Sequence, residues 1–221
     1  MTVRKTGISR RRFLRFGLEA VAAAGCVGAA SALAHNGSYV RPPGAAEKLT
    51  GLCIRCGACV EACPERALKQ LDLSLDFFNL GTPVLNYRRA GCVAWGIQPR
   101  PAAPERPLCV ACMESCPSGA LDVKRFDPAE RNGYIGKAYI WPEKCVNCME
   151  CFRVCPVSGA VLFPNSGGKP YKKYSDIPVK LKYENSVFKP FIETSLCVGC
   201  GRCAAICPPR VIDVQCVKKP S

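Results

Sequence analysis

One spacing of cysteines dominates the sequence: C-x2-C-x2-C-x3-C followed by proline. Three complete copies occur, which we call motifs one, three and four, at Cys53–Pro64, Cys145–Pro156 and Cys197–Pro208. Motif two, Cys109–Pro117, keeps only three cysteines, because Arg106 stands where the first is expected. The spacing is typical of bacterial iron–sulfur loops, in which three cysteines bind one cluster and the fourth binds its neighbour. The chain is therefore restricted to short elements built around cysteine loops.

Other uses of these cysteines agree less well with the pattern. With 18 Cys in 221 residues, the chain is much longer than the usual disulfide-rich secreted scaffold. Zinc sites use cysteine pairs separated by a longer spacer. No C-x2-C pair is followed by histidine, which excludes c-type haem attachment. Disulfides in the apoprotein would not explain three complete copies of one spacing, so the pattern favours [4Fe-4S] clusters.

The incomplete motif two needs one more ligand from elsewhere. The three complete motifs supply twelve cysteines, and Cys109, Cys112 and Cys116 bring the number to fifteen. Cys26 belongs to an N-terminal leader, and Cys216 lies beyond motif four. Cys92 remains, at the far side of a proline-rich loop that can fold back. We therefore predict four [4Fe-4S] clusters held by sixteen ligands: Cys53, Cys56, Cys59, Cys63, Cys92, Cys109, Cys112, Cys116, Cys145, Cys148, Cys151, Cys155, Cys197, Cys200, Cys203 and Cys207.

Spacing between motifs predicts how they pair. Cys116 and Cys145 are 29 residues apart, about the distance within one two-cluster ferredoxin, whereas Cys63 and Cys197 are 134 apart. We therefore expect motifs two and three to form an inner ferredoxin, inserted into an outer one made from motifs one and four. The alternative is a tandem pairing, one with two and three with four. The nested pairing gives these ligand sets: Cys53, Cys56, Cys59 and Cys207; Cys197, Cys200, Cys203 and Cys63; Cys145, Cys148, Cys151 and Cys116; Cys92, Cys109, Cys112 and Cys155.

The predicted fold class is α+β: a nested double bacterial-ferredoxin-like fold, rich in loops, with short strands and helices around the cysteine loops. Strands are expected before motifs three and four, in "GKAYIWPEKC" and "FKPFIETSLC", and after each motif's proline. The predicted divisions are a leader, a linker, an outer unit in two segments and an inner unit: residues 1–34, 35–50, 51–91 with 165–221, and 92–164.

The N-terminus carries an export pattern. Residues 9–15 read SRRRFLR, which matches the twin-arginine motif with arginine in place of the final lysine. An apolar stretch follows, too short to span a bilayer, and it ends in the A-x-A type cleavage site Ala32–Ala34. This route exports folded proteins, which suits clusters assembled from reduced thiols. We expect a periplasmic protein; an uncleaved leader anchored to the inner membrane and a lipoprotein site at Cys26 are the alternatives.

The formal net charge of +14 does not indicate nucleic-acid binding. Removing residues 1–34 leaves +9, and four oxidised clusters with their thiolates, at about −2 each, bring the charge to about +1. Lysines between Asn165 and Pro190 form either a solvated loop or a docking face for an acidic redox partner. The sequence has no nucleophile arrangement and no phosphate loop, so we predict neither catalytic residues nor a small-molecule substrate.

These motifs resemble the NapG/MauM group of ferredoxin-type periplasmic proteins. The matching segments are the leader, "RPPGA" at Arg41–Ala45, "CIRCGACVEACP" at Cys53–Pro64, "GTP" at Gly81–Pro83, "CPSGAL" at Cys116–Leu121 and "CVGCGRCAAICP" at Cys197–Pro208. Motif two and the compact motif three depart from the family's usual form, which weakens an assignment to nitrate reduction.

The resemblance implies an electron carrier and not an enzyme. Its partners would be a membrane quinol dehydrogenase of NapH type and a periplasmic acceptor, either a reductase or a c-type cytochrome. Two alternatives differ in class. The chain could be the fixed Fe–S subunit of a molybdenum or tungsten oxidoreductase, since such subunits share a nested four-motif architecture. It could also be a binding protein whose clusters serve only as staples.

Overall fold

The structure is a computed structural model that describes residues 39–72, 78–96, 108–127, 136–165, 167, 169–172, 176–178 and 189–216. The predicted leader, the proline-rich loop before Leu108 and more than half of the lysine-rich segment lie outside these residues. No helix in the described part of the chain is long and apolar enough to cross a membrane.

Five short α-helices lie among the described residues: the first directly precedes motif one, and the other four begin inside the cysteine motifs. They are α1 (Leu49–Leu52), α2 (Ala58–Glu61), α3 (Ala111–Glu114), α4 (Glu150–Val154) and α5 (Arg202–Ile206). In the complete motifs the residue before the helix is left-handed: Gly57, Met149 and Gly201 have φ of 79°, 60° and 76°. Such a residue reverses the chain tightly after a C-x2-C turn. Motif two lacks that turn, and Val110 before α3 accordingly has an ordinary φ of −120°.

The strands form three two-stranded antiparallel sheets. They are β1 (Leu68–Gln70), β2 (Pro83–Leu85), β3 (Lys137–Ile140), β4 (Val161–Leu162), β5 (Phe191–Ile192) and β6 (Ile212–Gln215). Strand β1 pairs with β2, β3 with β6 and β4 with β5. The predicted strands before motifs three and four are confirmed as β3 and β5, and the strands expected after motifs one, three and four as β1, β4 and β6. After motif two, the residues up to Asp127 that the structure describes form a single bridge, between Leu121 and Ala45.

Strand pairing divides the chain into two consecutive units. In the C-terminal unit (described residues 136–216), β3 before motif three pairs with β6 after motif four, and β4 pairs with β5 between the motifs. The N-terminal unit (described residues 39–127) repeats this plan: the Ala45–Leu121 bridge joins its two ends, and β1–β2 joins its middle. The predicted nesting is therefore wrong, as are the unit boundaries drawn from it. The tandem alternative describes the fold, because each pair of motifs closes on itself through its own strands.

The two units pack against each other through the segment before motif two. The Tyr87 hydroxyl donates a hydrogen bond of 2.6 Å to Asp213, and Arg88 forms a 3.2 Å salt bridge to the same carboxylate. A methyl group built on Gly91 would overlap the Cα of Arg202, so only glycine permits this approach. Polar contacts and close main-chain packing thus join the units.

Candidate iron–sulfur sites

Four cavities are each lined by four cysteines. The first, site I, is lined by Cys53, Cys56 and Cys59 of motif one and by Cys116 of motif two. The motif-one loop and the start of α2 position the first three sulfurs. The chain after α3 brings the fourth, because α2 and α3 pack together. Motifs one and two therefore exchange a cysteine, as the two motifs of a bacterial ferredoxin do.

Site II contains the cysteine that motif two lacks. Its cavity is lined by Cys109 and Cys112 of motif two, Cys63 of motif one, and Cys92. Cys92 reaches this position from the segment that follows β2, on the other side of the proline-rich loop. The structure thus brings Cys92 together with the cysteines of motif two, where the sequence predicted it, although the fourth member of the set is Cys63 and not Cys155.

The C-terminal unit repeats the arrangement. Site III is lined by the first three cysteines of motif three and the last of motif four: Cys145, Cys148, Cys151 and Cys207. Site IV is lined by the last cysteine of motif three and the first three of motif four: Cys155, Cys197, Cys200 and Cys203. Helices α4 and α5 pack together between the two sites.

The predicted ligand sets are therefore corrected in one respect. Each predicted set of three stays together: Cys53, Cys56 and Cys59; Cys92, Cys109 and Cys112; Cys145, Cys148 and Cys151; Cys197, Cys200 and Cys203. The fourth cysteine changes in every set. Cys116 replaces Cys207 at site I, Cys63 replaces Cys155 at site II, Cys207 replaces Cys116 at site III, and Cys155 replaces Cys63 at site IV. The cause is the tandem strand pairing, which holds each fourth cysteine within its own unit.

Main-chain N–H groups point at several of these sulfurs. The N–H of Ala67 lies 3.3 Å from the Cys63 sulfur, and the N–H of Ala138 lies 3.4 Å from that of Cys197. The sulfur of Cys116, the last cysteine of motif two, receives the same kind of contact from the N–H of Leu121, at 3.4 Å. Such donors stabilise a thiolate over a thiol, and hydrogen bonds to ligating sulfurs also tune a bound cluster.

Burial disfavours ionisation of one cysteine in each of these cavities. Burial raises the pKa of Cys59 to about 11, and the other three sulfurs of site I add to the increase. Burial and neighbouring cysteines likewise raise the pKa of Cys112, Cys151 and Cys200 to about 12. Thiols with pKa values this high stay protonated at neutral pH unless bound metal stabilises their thiolates.

The geometry fits a four-iron cluster better than a single ion. A zinc site would hold four sulfurs at about 2.3 Å from one ion. Within the described residues, no group of three or more His, Cys, Asp or Glu side chains is arranged to hold a metal ion. Each cavity is instead lined by four cysteines shared between two cysteine motifs, as in a two-cluster bacterial ferredoxin. When bound, a [4Fe-4S] cluster supplies one-electron redox chemistry, and the chain supplies its ligands, hydrogen bonds and shielding.

The four sites form one row, in the order I, II, IV and III. Helix packing joins I to II and IV to III. Sites II and IV meet at the junction of the units, where the N–H of Cys92 donates a 2.7 Å hydrogen bond to the carbonyl of Cys200. At the two ends of the row Cys56 and Cys148 are exposed, whereas Cys200 and Cys203 are buried. The two middle sites thus have no exposed cysteine, and each end of the row has one.

Two segments that the sequence singled out only by resemblance, "RPPGA" and "GTP", lie against each other. Arg41 donates a 2.7 Å hydrogen bond to the hydroxyl of Thr82, and Thr82 donates one of 2.6 Å to the carbonyl of Asn79. Pro43 lines site II and Pro83 lines site I, so this polar contact fixes walls of both sites. Cys216, by contrast, is half-buried after β6 and lines none of the four sites.

The fold and the four sets of cysteines define a ferredoxin-type iron–sulfur protein, and comparison with known proteins agrees. Residues 47–69 match the model of a 4Fe-4S binding domain, and residues 107–159 and 141–211 each match that of a 4Fe-4S dicluster domain.

Full-length relatives give the family. The methylamine utilization ferredoxin-type protein MauM of Paracoccus denitrificans is 32% identical, over 94% of this chain and 88% of its own. The ferredoxin-type protein NapG of Escherichia coli is 30% identical, over 90% and 80% respectively. The ferredoxin-type protein NapF of Escherichia coli is 24% identical, over 82% and 87%. The chain belongs to the MauM/NapG family of ferredoxin-type proteins, as the sequence predicted, and its biochemical class is iron–sulfur electron transfer.

Proposed function

We propose that this protein is a periplasmic carrier that holds four [4Fe-4S] clusters, one at each of sites I to IV. It passes electrons from a membrane quinol dehydrogenase of NapH type to a periplasmic reductase or c-type cytochrome. It has no catalytic site of its own. The sixteen cysteines of the four sites, including Cys92, are the ligands.

The row of sites carries this proposal. A protein whose clusters only stapled its fold would have no need of a continuous row that reaches the surface at both ends. Here each end has an exposed cysteine beside an exposed apolar side chain: Ile54 is 63% exposed near Cys56, and Val146 is 57% exposed near Cys148. Exposed apolar groups around a redox centre allow close contact with a partner. Two such ends provide separate positions for a donor and an acceptor.

The alternative, a fixed subunit of a molybdenum or tungsten oxidoreductase, loses its main support. That alternative was attractive because such subunits share a nested arrangement of four motifs. The tandem strand pairing of this chain departs from that arrangement. The export pattern at residues 9–15 also favours a protein that travels on its own leader.

Export is part of the proposal. Residues 9–15 lie outside the described structure, so the support is their sequence together with the need to assemble iron–sulfur clusters in a reducing compartment. Replacing Arg10 and Arg11 by lysine should keep the protein in the cytoplasmic fraction of the host. Periplasmic recovery of this double variant at the wild-type level would contradict twin-arginine export.

Iron quantitation and EPR of the purified full-length chain test the carrier function. We expect about sixteen irons per chain, and reduced spectra that integrate to about four [4Fe-4S] centres. The dithionite-reduced protein should then be reoxidised by a periplasmic extract of its host and not by buffer under argon. Reduced centres that no periplasmic fraction can reoxidise would contradict a carrier, and about twelve irons would contradict the fourth cluster.

A further inference from the structure

Two lysines of the C-terminal unit occupy equivalent positions beside its two sites. The ammonium group of Lys189 donates a 2.8 Å hydrogen bond to the carbonyl of Cys145, the first cysteine of site III. The ammonium group of Lys137 donates one of the same length to the carbonyl of Cys197, the first cysteine of site IV. Both side chains are partly buried. Each lysine thus holds a positive charge at the loop that supplies most of one site's ligands.

The arrangement repeats in the sequence as well as in space. Lys137 and Lys189 each stand eight residues before the first cysteine of a motif, in "KAYI" and "KPFI". Each reaches across to the first cysteine of the other motif, so the pair follows the internal symmetry of the unit. The repeated lysine is the signal from which sequence reasoning could have found both residues.

The N-terminal unit lacks this pair. The residues eight positions before Cys53 and Cys92 are Ala45 and Val84, which cannot donate from a charged side chain. Within the described part of that unit, no lysine or arginine donates to the carbonyl of either cysteine. The two units therefore share a fold but differ at these two positions. The cation that lines site I, Arg55, belongs to the cysteine loop itself and donates to the carbonyls of Leu80 and Phe78.

These charges are not neutralised by partners. Neither Lys137 nor Lys189 forms a salt bridge with a described carboxylate, and each donates to a neutral carbonyl instead. A hydrogen bond to a main-chain carbonyl requires no charge, so a purely structural role does not explain a cation at both positions. Reduction of a bound cluster adds one negative charge, and a nearby cation stabilises that charge, more strongly where burial limits screening.

We propose that the positive charge of Lys137 raises the reduction potential of the cluster bound at site IV, and that the charge of Lys189 does the same at site III. Electrons would then collect in the C-terminal unit. This proposal rests on the carrier function proposed above and adds a direction: electrons enter near Cys56 and leave near Cys148.

Redox titration of the full-length protein, followed by EPR, tests the pair. Lys137→Met and Lys189→Met keep the length of the side chain and remove its charge. Each single variant should lower the midpoint potential of one of the four reducible components, and the double variant should lower two. We expect each affected reduction constant to fall about tenfold, which corresponds to about 59 mV for one electron. The remaining components should keep their wild-type midpoints.

Three controls separate charge from structure. Lys137→Arg and Lys189→Arg keep the charge, and these variants should have the wild-type midpoint potentials. Lys169→Met removes an exposed charge from the same unit and should leave all four midpoints unchanged. Iron content and melting temperature, measured on every variant, report damage to the sites; if the methionine variants lose iron, the arginine variants are compared with glutamine variants instead.

The outcomes distinguish this proposal from the carrier function. Unchanged midpoints in methionine or glutamine variants that retain their iron would overturn the role of the lysines while leaving the carrier intact. Equal shifts in all four components would overturn it too, because the effect would then be a general one of net charge. A wild-type protein without reducible [4Fe-4S] centres would overturn both.

Discussion

Pairs of cysteine substitutions can decide which cysteine completes site II. In the structure, Cys92 and Cys63 line the same cavity, whereas Cys155 lines site IV in the other unit. If clusters are bound as the cavities indicate, the double variant Cys92→Ser/Cys63→Ser loses ligands from one site only. The double variant Cys92→Ser/Cys155→Ser loses ligands from two sites. The nested grouping of motifs predicts the reverse, so the two double variants distinguish the two arrangements directly.

The expected magnitudes follow from the number of ligands per site. Each single variant leaves three sites with four cysteines, and so does the double variant Cys92→Ser/Cys63→Ser. When the damaged site loses its cluster, about twelve of about sixteen irons remain. The double variant Cys92→Ser/Cys155→Ser leaves two complete sites and about eight irons. Serine is close to cysteine in size, and the hydrogen bond from residue 92 to Cys200 uses the main chain, so the junction between the units is preserved.

The assay is anaerobic purification of the full-length variants, followed by iron quantitation and EPR of oxidised and reduced samples. A site with three cysteines holds either no cluster or a three-iron cluster, which has its own oxidised EPR signal, so intact [4Fe-4S] centres are counted from the reduced spectra. Three intact centres in Cys92→Ser/Cys155→Ser, together with two in Cys92→Ser/Cys63→Ser, would refute the grouping derived from the structure.

Three further substitutions test packing. The melting temperature of each variant is measured from the loss of visible cluster absorbance on heating. A change of about 1 kcal/mol in the free energy of unfolding shifts that temperature by about 2–4 °C. Gly91→Ala should cost about 1–3 kcal/mol, because the added methyl meets main-chain atoms of the other unit, whereas Gly51→Ala meets nothing within 4 Å and should cost nothing. Phe163→Ala should cost about 3–5 kcal/mol, since this ring is fully buried, and Phe191→Ala, at a 42% exposed ring, should cost clearly less. Thr82→Val should cost about 1–3 kcal/mol by removing a buried hydroxyl that both donates and accepts. Equal melting temperatures within either matched pair, or a wild-type value for Thr82→Val, would contradict the packing described.

The sequence was sufficient to predict the chemistry, because the ligand spacing of an iron–sulfur loop is local. Within a complete motif, a few residues fix where three cysteines lie, and these sets of three are found together in the structure. The position of Cys92 beside Cys109 and Cys112 was also predictable, by counting the cysteines that remained. The strands next to motifs three and four followed from apolar residues beside the cysteine loops.

The pairing of motifs was not predictable from spacing, and the reason is specific. The nested prediction relied on the 29 residues between Cys116 and Cys145, but 29 residues also separate Cys63 from Cys92. Once Cys92 is taken as the start of motif two, both connections have the same length, and spacing no longer favours either. Loop-closure entropy depends only weakly on length, so it does not decide between them. The β3–β6 pair and the Ala45–Leu121 bridge decide, and both are contacts between segments distant in sequence.

The displaced first cysteine of motif two gives the segment before it a second role. In the complete motifs, the first cysteine belongs to a C-x2-C turn and lies within the loop. Cys92 instead belongs to the segment that joins the units, where its side chain lines site II and its N–H bonds to Cys200 of site IV. Trp95, three residues later, packs edge-on against Phe126 and also against a buried cluster of the other unit, formed by Val157, Ala160, Val198 and Cys200. A first cysteine at position 106 would complete the motif but would leave this junction without a ligand of its own. Cys92 therefore serves ligation through its side chain and the junction through its main chain, so a serine at this position removes the ligand and keeps the contact between the units.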